Sequence, residues 1–174
     1  MVRDGALHAY ITRHKDFLGD ALVECPQCSK KAWVKTPGYP QEDWEVYEDT
    51  VSFSCFHCGK AQRLKDITKT TIMYNSHGKA ITSRVLRGGN SMTDPFFGYR
   101  LWLNIECLEG NIWAYNPEHL RFLQQFIAAT HRKRQVTQDD DVFNNSIGSR
   151  LPRWMTAAKN RGHVLKCIAR LMDR

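Results

Sequence analysis

Two cysteine pairs, Cys25-Pro26-Gln27-Cys28 and Cys55-Phe56-His57-Cys58-Gly59, constrain this chain more than any other feature. Two cysteines separated by two residues can present both thiolates to one ion from a tight turn, and two such turns complete a closed tetrahedral zinc site. Strand-like residues flank each pair: Ala21-Leu22-Val23 and Trp33-Val34 around the first, Val51 and Phe53 before the second. This is the layout of a zinc ribbon, with Cys25, Cys28, Cys55 and Cys58 as ligands of one structural Zn2+. With four protein thiolates in place no coordination position remains for water or substrate, so the ion is expected to serve as scaffold. A ribbon of some forty residues has little core and should draw its stability largely from the metal.

The 174 residues suffice for one domain, or for a small metal module joined to a larger body. The sequence divides most naturally into residues 1–68, an N-terminal helix plus the ribbon, and residues 69–174, an α+β body with basic C-terminal helices. Met1 to Lys15 carry Asp4, His8, Arg13 and His14, which is not the apolar core of a secretory signal, and no window approaches the ~18 apolar residues of a membrane span. A reducing, cytoplasmic setting and bound metal are therefore expected instead of disulfides. Cys107 and Cys167 read as buried thiols behaving as small hydrophobes.

The net charge of +7 is unevenly spread. Glu42, Asp43, Glu45, Glu48 and Asp49 form an acidic stretch inside the ribbon, free of lysine and arginine between residues 42 and 49. At the C-terminal end Arg150, Arg153, Lys159, Arg161, Lys166, Arg170 and Arg174 face only Asp173. Such segregation suits a polyanionic partner or an acidic protein surface; the alternative is a set of solvated helix faces.

Apolar periodicity predicts a helix over Ala6 to Leu18 that leads into the ribbon. Thr70–Tyr74 and Ala80–Leu86 read as a hairpin turning at Asn75-Ser76-His77-Gly78. Tyr99–Cys107 and Ile112–Tyr115 read as strands joined by Glu109-Gly110-Asn111. Asn116, Pro117 and Glu118 mark a helix start, and the helix is expected to run to His131-Arg132-Lys133-Arg134. Two short helices follow, over Arg150–Lys159 and from an Asn160 cap onward. The whole is an α+β protein: N-terminal helix and four-cysteine zinc ribbon, small antiparallel sheet, long helix and C-terminal helical pair.

No HExxH, GxSxG or phosphate-binding glycine loop occurs, so the chain reads as non-enzymatic. A hydrolase or transferase reading would need His119 or Cys107 to act with an acid in a shared cleft. Aromatic and basic residues interleave at Phe96-Phe97-Gly98-Tyr99-Arg100-Leu101-Trp102 and at Arg153-Trp154, which suits base stacking and phosphate contact, or equally a core strand and a helix anchor.

The segments Asp94-Pro95-Phe96-Phe97-Gly98, Trp113-Ala114-Tyr115-Asn116-Pro117-Glu118-His119-Leu120, Arg150-Leu151-Pro152-Arg153-Trp154 and Ala158-Lys159-Asn160-Arg161, with the leading CPxC knuckle, resemble small bacterial zinc-ribbon-containing proteins of the TFIIB type. That resemblance implies a ribbon followed by an α/β body, with no settled activity. Ser29 departs from it, standing where such knuckles usually carry glycine. Binding is thus the expected role. The partner is either nucleic acid, through Arg153, Trp154, Lys159, Arg161, Lys166 and Arg170, or a protein. In the second case an immunity protein neutralising a bacterial toxin, using Glu42, Asp43, Glu45, Glu48 and Asp49, is the working example.

Overall fold

The structure, a computed structural model, describes residues 12–38, 48–84, 92–129 and 146–174. The chain divides into two units, Leu18–Trp102 and a second made of Met1–Phe17 with Leu103–Arg174. The boundary read from the sequence at residue 68 lies inside the first, which continues to Trp102.

In the ribbon unit β1 (Ala21–Glu24), β2 (Lys31–Lys35), β3 (Ser52–Ser54) and β4 (Ala61–Arg63) pair in sequence order, all antiparallel. The register follows from side-chain alternation. On β2, Ala32 and Val34 point inward while Lys31 and Lys35 stay in water, and on β3 Phe53 is buried between two half-exposed serines. The segment after residue 92 adds to the outer side of β1: Val23 bridges Leu101, the Glu24 N–H donates to the Arg100 carbonyl, and the Trp102 N–H donates to that of Leu22. The strand expected over Tyr99–Cys107 is therefore split, and its regular part is Leu103–Cys107.

Asp94 organises the turn that delivers this segment. Its fully buried carboxylate accepts from the backbone N–H groups of Phe96, Phe97 and Tyr99 at 2.9, 2.8 and 2.6 Å. Gly98 takes φ 72°, which only glycine adopts without penalty. The staple turns the aromatic run inward. Phe97 and Tyr99 stack on one another, both meet Phe53 edge-on, and the Tyr99 hydroxyl donates to Gln62. Of the two roles open to these rings, packing is the one the geometry gives them.

The expected hairpin forms from β5 (Thr70–Tyr74) and β6 (Ala80–Ser83), and residues 85 and 86 at the end of its expected second strand lie outside the described residues. Asn75 Oδ1 accepts from the N–H groups of His77 and Lys79 across the turn. Ile72, Met73, Tyr74 and Ile81 are exposed on it.

In the other unit β7 (Leu103–Cys107) pairs with β8 (Gly110–Ala114), and the turn between them places Leu108 at φ 53°. Helix α1 (Pro117–Ala128) starts where expected: Asn116 Oδ1 accepts from the His119 N–H at 2.9 Å and Pro117 fills the first position. The described helix ends at Ala128, and His131–Arg134 lie outside the described residues, as does most of the expected N-terminal helix. Its last part, His14–Phe17, is a single 3₁₀ turn. The expected helix over Arg150–Lys159 is broken. Pro152 cannot continue a helix from the preceding turn, so α2 (Ile147–Arg150), α3 (Arg153–Thr156) and a 3₁₀ turn at Ala158–Asn160 replace it. Helix α4 (Arg161–Met172) follows, but Asn160 does not cap it with its side chain; its Nδ2 donates to the Trp154 carbonyl instead. Val164, Ile168 and Leu171 form the buried stripe of α4, which packs on α1 and β7.

Glu48, read from the sequence as a surface carboxylate, is only 6% exposed and forms an ion pair with Arg84. The same guanidinium donates to the carbonyls of Ile67 and Lys65 at 2.9 and 3.0 Å, so one cation ties three segments of the ribbon unit together. Removing one partner strands the other charge in a poorly hydrated site. Glu48→Ala should lower the stability of the ribbon unit by about 3 kcal/mol, measured by chemical denaturation. A loss no larger than that of Asp49→Ala, at an exposed neighbour, would show the pair to be dispensable.

Candidate metal centre

The two cysteine pairs sit at the turns β1–β2 and β3–β4, and the backbone builds both knuckles in the same way. Cys25 N–H donates to the Lys30 carbonyl and Ser29 N–H to that of Cys25, both at 2.9 Å. In the second knuckle Cys55 N–H donates to Lys60 and Gly59 N–H to Cys55, at 2.9 and 3.0 Å. This closure needs a left-handed residue after the second cysteine. Gly59 supplies it at φ 74° and Ser29 at φ 55°, so the first knuckle keeps the glycine geometry without the glycine and carries the strain of an L-residue there.

The result is a four-sulfur cluster whose Sγ atoms all lie within 4.8 Å of one another. Cys25 and Cys58 are 3.6 Å apart, as are Cys28 and Cys55. A Zn–S bond near 2.3 Å in a tetrahedron puts sulfurs roughly 3.8 Å apart, whereas a disulfide needs about 2.05 Å. All six cysteines are free thiols. The arrangement is compatible with metal coordination and not with cystine.

Backbone N–H groups aim at these sulfurs, among them Gln27 N–H at Cys25, 3.4 Å away. Burial would push the Cys25 thiol up, but the N–H groups of Gln27 and Cys28, with the Cys58 and Cys55 thiols, bring it down to about 6. At Cys28 the Lys30 N–H favours the thiolate, yet burial and the neighbouring thiols hold it up at about 12. Cys58 is raised in the same way against the Lys60 N–H. Four sulfurs this close resist collecting several negative charges on their own, and a divalent cation reverses that balance.

Of the acidic stretch, Glu42, Asp43 and Glu45 lie outside the described residues, Asp49 is exposed, and Glu48 is committed to Arg84. Of the basic set, Arg153, Lys159, Lys166 and Arg170 are exposed and Arg161 is half-buried. Lys166 and Arg170 stand four residues apart on α4 and so share a face. Trp154 is an anchor: its ring covers Gly110, where a Cβ would meet the indole at 3.4 Å.

His119 is fully buried. Its Nδ1 accepts from the Tyr115 N–H at 3.3 Å, and its ring stacks on Phe17 and meets His14 and Trp113 edge-on. Cys107, also buried, groups with His163 and Cys167, a neighbourhood that sequence reading missed because His163 and Cys167 are 56 or more residues from Cys107. The one signal was the i, i+4 spacing of His163 and Cys167.

No protein-family model matches the chain, and no curated protein or solved structure matches it. The cysteine cluster thus stands as a generic zinc-binding motif, and the likeness to TFIIB-type ribbon proteins rests on the motifs alone. Among the described residues no helix is long and apolar enough to cross a membrane.

Burial, with Arg150 nearby, lowers His14 to about 4; burial, with His14 nearby, takes His119 well below the usual histidine range. Both are then neutral in the folded state, while the unfolded chain takes up their protons near 6.5. The His14 contribution is complete above pH 6.5 and is lost as pH falls through about 4, while that of His119 goes on being lost to lower pH. The denaturation midpoint should fall over that window more steeply for the wild type than for His14→Gln, and equal slopes would contradict it.

Proposed function

We propose that the chain is a non-enzymatic zinc-binding protein whose ribbon is held by one structural Zn2+, and that its basic C-terminal face contacts nucleic acid. The convergence of four sulfurs within 4.8 Å supports the metal assignment: an all-thiolate tetrahedron suits zinc, with iron as the other ion it takes, and leaves no open position. With a core as small as that of β1–β4, much of the ribbon's folding free energy would come from the ion. Purified protein should contain zinc, and a strong chelator should cost the ribbon unit its cooperative unfolding transition. Retention of that transition after complete zinc removal would refute the structural role.

The nucleic-acid reading is supported by the exposed Lys159, Lys166 and Arg170, with Arg153 on α3. Lys166 and Arg170 share one face of α4, which suits phosphate contact, and affinity so gained falls steeply with salt. Binding of a fluorescent oligonucleotide should weaken as salt rises, and Lys166→Glu with Arg170→Glu should weaken it at least ~10-fold at low salt. Salt-independent binding, or none at low salt, would dismiss this reading.

A second reading, a protein-binding inhibitor such as an immunity protein that neutralises a toxin, is favoured by different residues. Ile72, Met73 and Tyr74 are 62%, 57% and 68% exposed on one strand, and Phe56 at the second knuckle is 79% exposed. Apolar side chains gathered in water are commoner at protein interfaces than on free surfaces. Polar substitution of Ile72 and Tyr74 would abolish capture of such a partner and leave oligonucleotide binding unchanged.

A further inference from the structure

Cys107, His163 and Cys167 are brought together by elements that are distant in sequence. Cys107 is the last residue of β7, buried on the same face as Leu103. His163 and Cys167 lie four residues apart on α4, the helix that packs on β7, so their side chains stand one above the other on one face. One nitrogen of His163 and the two sulfurs lie within 4.8 Å of one another. Ligands at 2.0–2.3 Å around a tetrahedral ion stand roughly 3.3–3.8 Å apart, inside the 4.8 Å that bounds this trio.

Burial differs across the trio in a way that matters. The two thiols are 3% exposed each, whereas His163 faces solvent at the edge of the apolar stripe formed by Val164, Ile168 and Leu171. An ion held there would have sulfur ligands on its protein side and water on its imidazole side.

We propose that Cys107, His163 and Cys167 form a second metal site, for a thiophilic divalent cation of the Zn2+ type, with three protein ligands and a fourth position open to water. Two thiolates and an imidazole are the donor set that zinc and cobalt share, and they disfavour magnesium and calcium. The site differs in kind from the ribbon cluster, which closes its ion in four sulfurs. It also draws wholly on the unit that contains neither knuckle, so it does not depend on how the ribbon is occupied.

The test is cobalt binding to the full chain, stripped of metal under reductant, with stoichiometry read by elemental analysis and by the sulfur-to-cobalt charge-transfer band. Wild type should bind one equivalent more than His163→Ala and one more than Cys167→Ser. The difference is the readout, so a failure of the ribbon assignment would lower all three proteins together and remain distinguishable. His163 is exposed, and its replacement should leave the circular dichroism spectrum unchanged, which guards against a Cys167→Ser variant that fails to fold. Cobalt should also protect Cys107 and Cys167 from alkylation in the wild type but not in His163→Ala. Equal stoichiometry in wild type and His163→Ala would overturn the proposal. So would a Cys107–Cys167 disulfide that survives reductant, because it would consume both sulfur ligands.

Discussion

The ribbon unit is organised around four sulfur atoms close enough together to share one ion. Each knuckle is a local solution, closed by the same two backbone hydrogen bonds and by a left-handed residue after its second cysteine. Neither is worth much alone, because a turn bearing two thiols has almost no apolar surface to bury. Their meeting is arranged by β2 and β3, whose pairing sets Trp33 opposite Ser54 and so brings the two turns to one end of the sheet. Register errors of one residue would both invert the faces and part the sulfurs, so sheet pairing and cluster geometry specify each other.

Around that cluster the unit is held by polar groups that act on the backbone. The Asp94 carboxylate gathers three N–H groups, and the Arg84 guanidinium joins two carbonyls to Glu48. Both belong to segments with little regular structure, where main-chain groups lack ladder partners and need side chains to satisfy them. Exposed apolar side chains lie at Phe56 of the second knuckle and on the β5–β6 hairpin of this unit, and exposed cations at Lys166 and Arg170 on α4 of the other. A single chain thus offers two chemically different faces.

What could be read from the sequence was local. The knuckles, the hairpin turning at Asn75–Gly78 and the Asn116–Pro117 helix start each depend on residues within a few positions of one another, and each was legible for that reason. Glu48 looked like one more member of an acidic run, because its partner Arg84 is 36 residues away. Trp154 reads in sequence as either a stacking or a packing residue, because Gly110, the residue its ring covers, is 44 positions away. Cys107 read as an inert thiol, since nothing in β7 signals that α4 will bring an imidazole and a second thiol to it. Asn160 carried a cap signature, but its own backbone is helical because the 3₁₀ turn at Ala158–Asn160 runs into α4, and its amide turns back to Trp154 instead.

The non-ribbon unit is discontinuous, and this bears on how the chain is made. Asn116 Nδ2 donates to the carbonyl of Phe17, whose ring lies on His119, so residues about a hundred positions apart must meet. Everything between Leu18 and Trp102 belongs to the other unit. On the ribosome the metal-binding segment emerges whole while Phe17 still waits for its partner. If that segment condenses first, the long closure shrinks to the short span between its two ends, and much of the entropy of bringing them together has already been spent. The order of synthesis and the nesting of the units therefore agree.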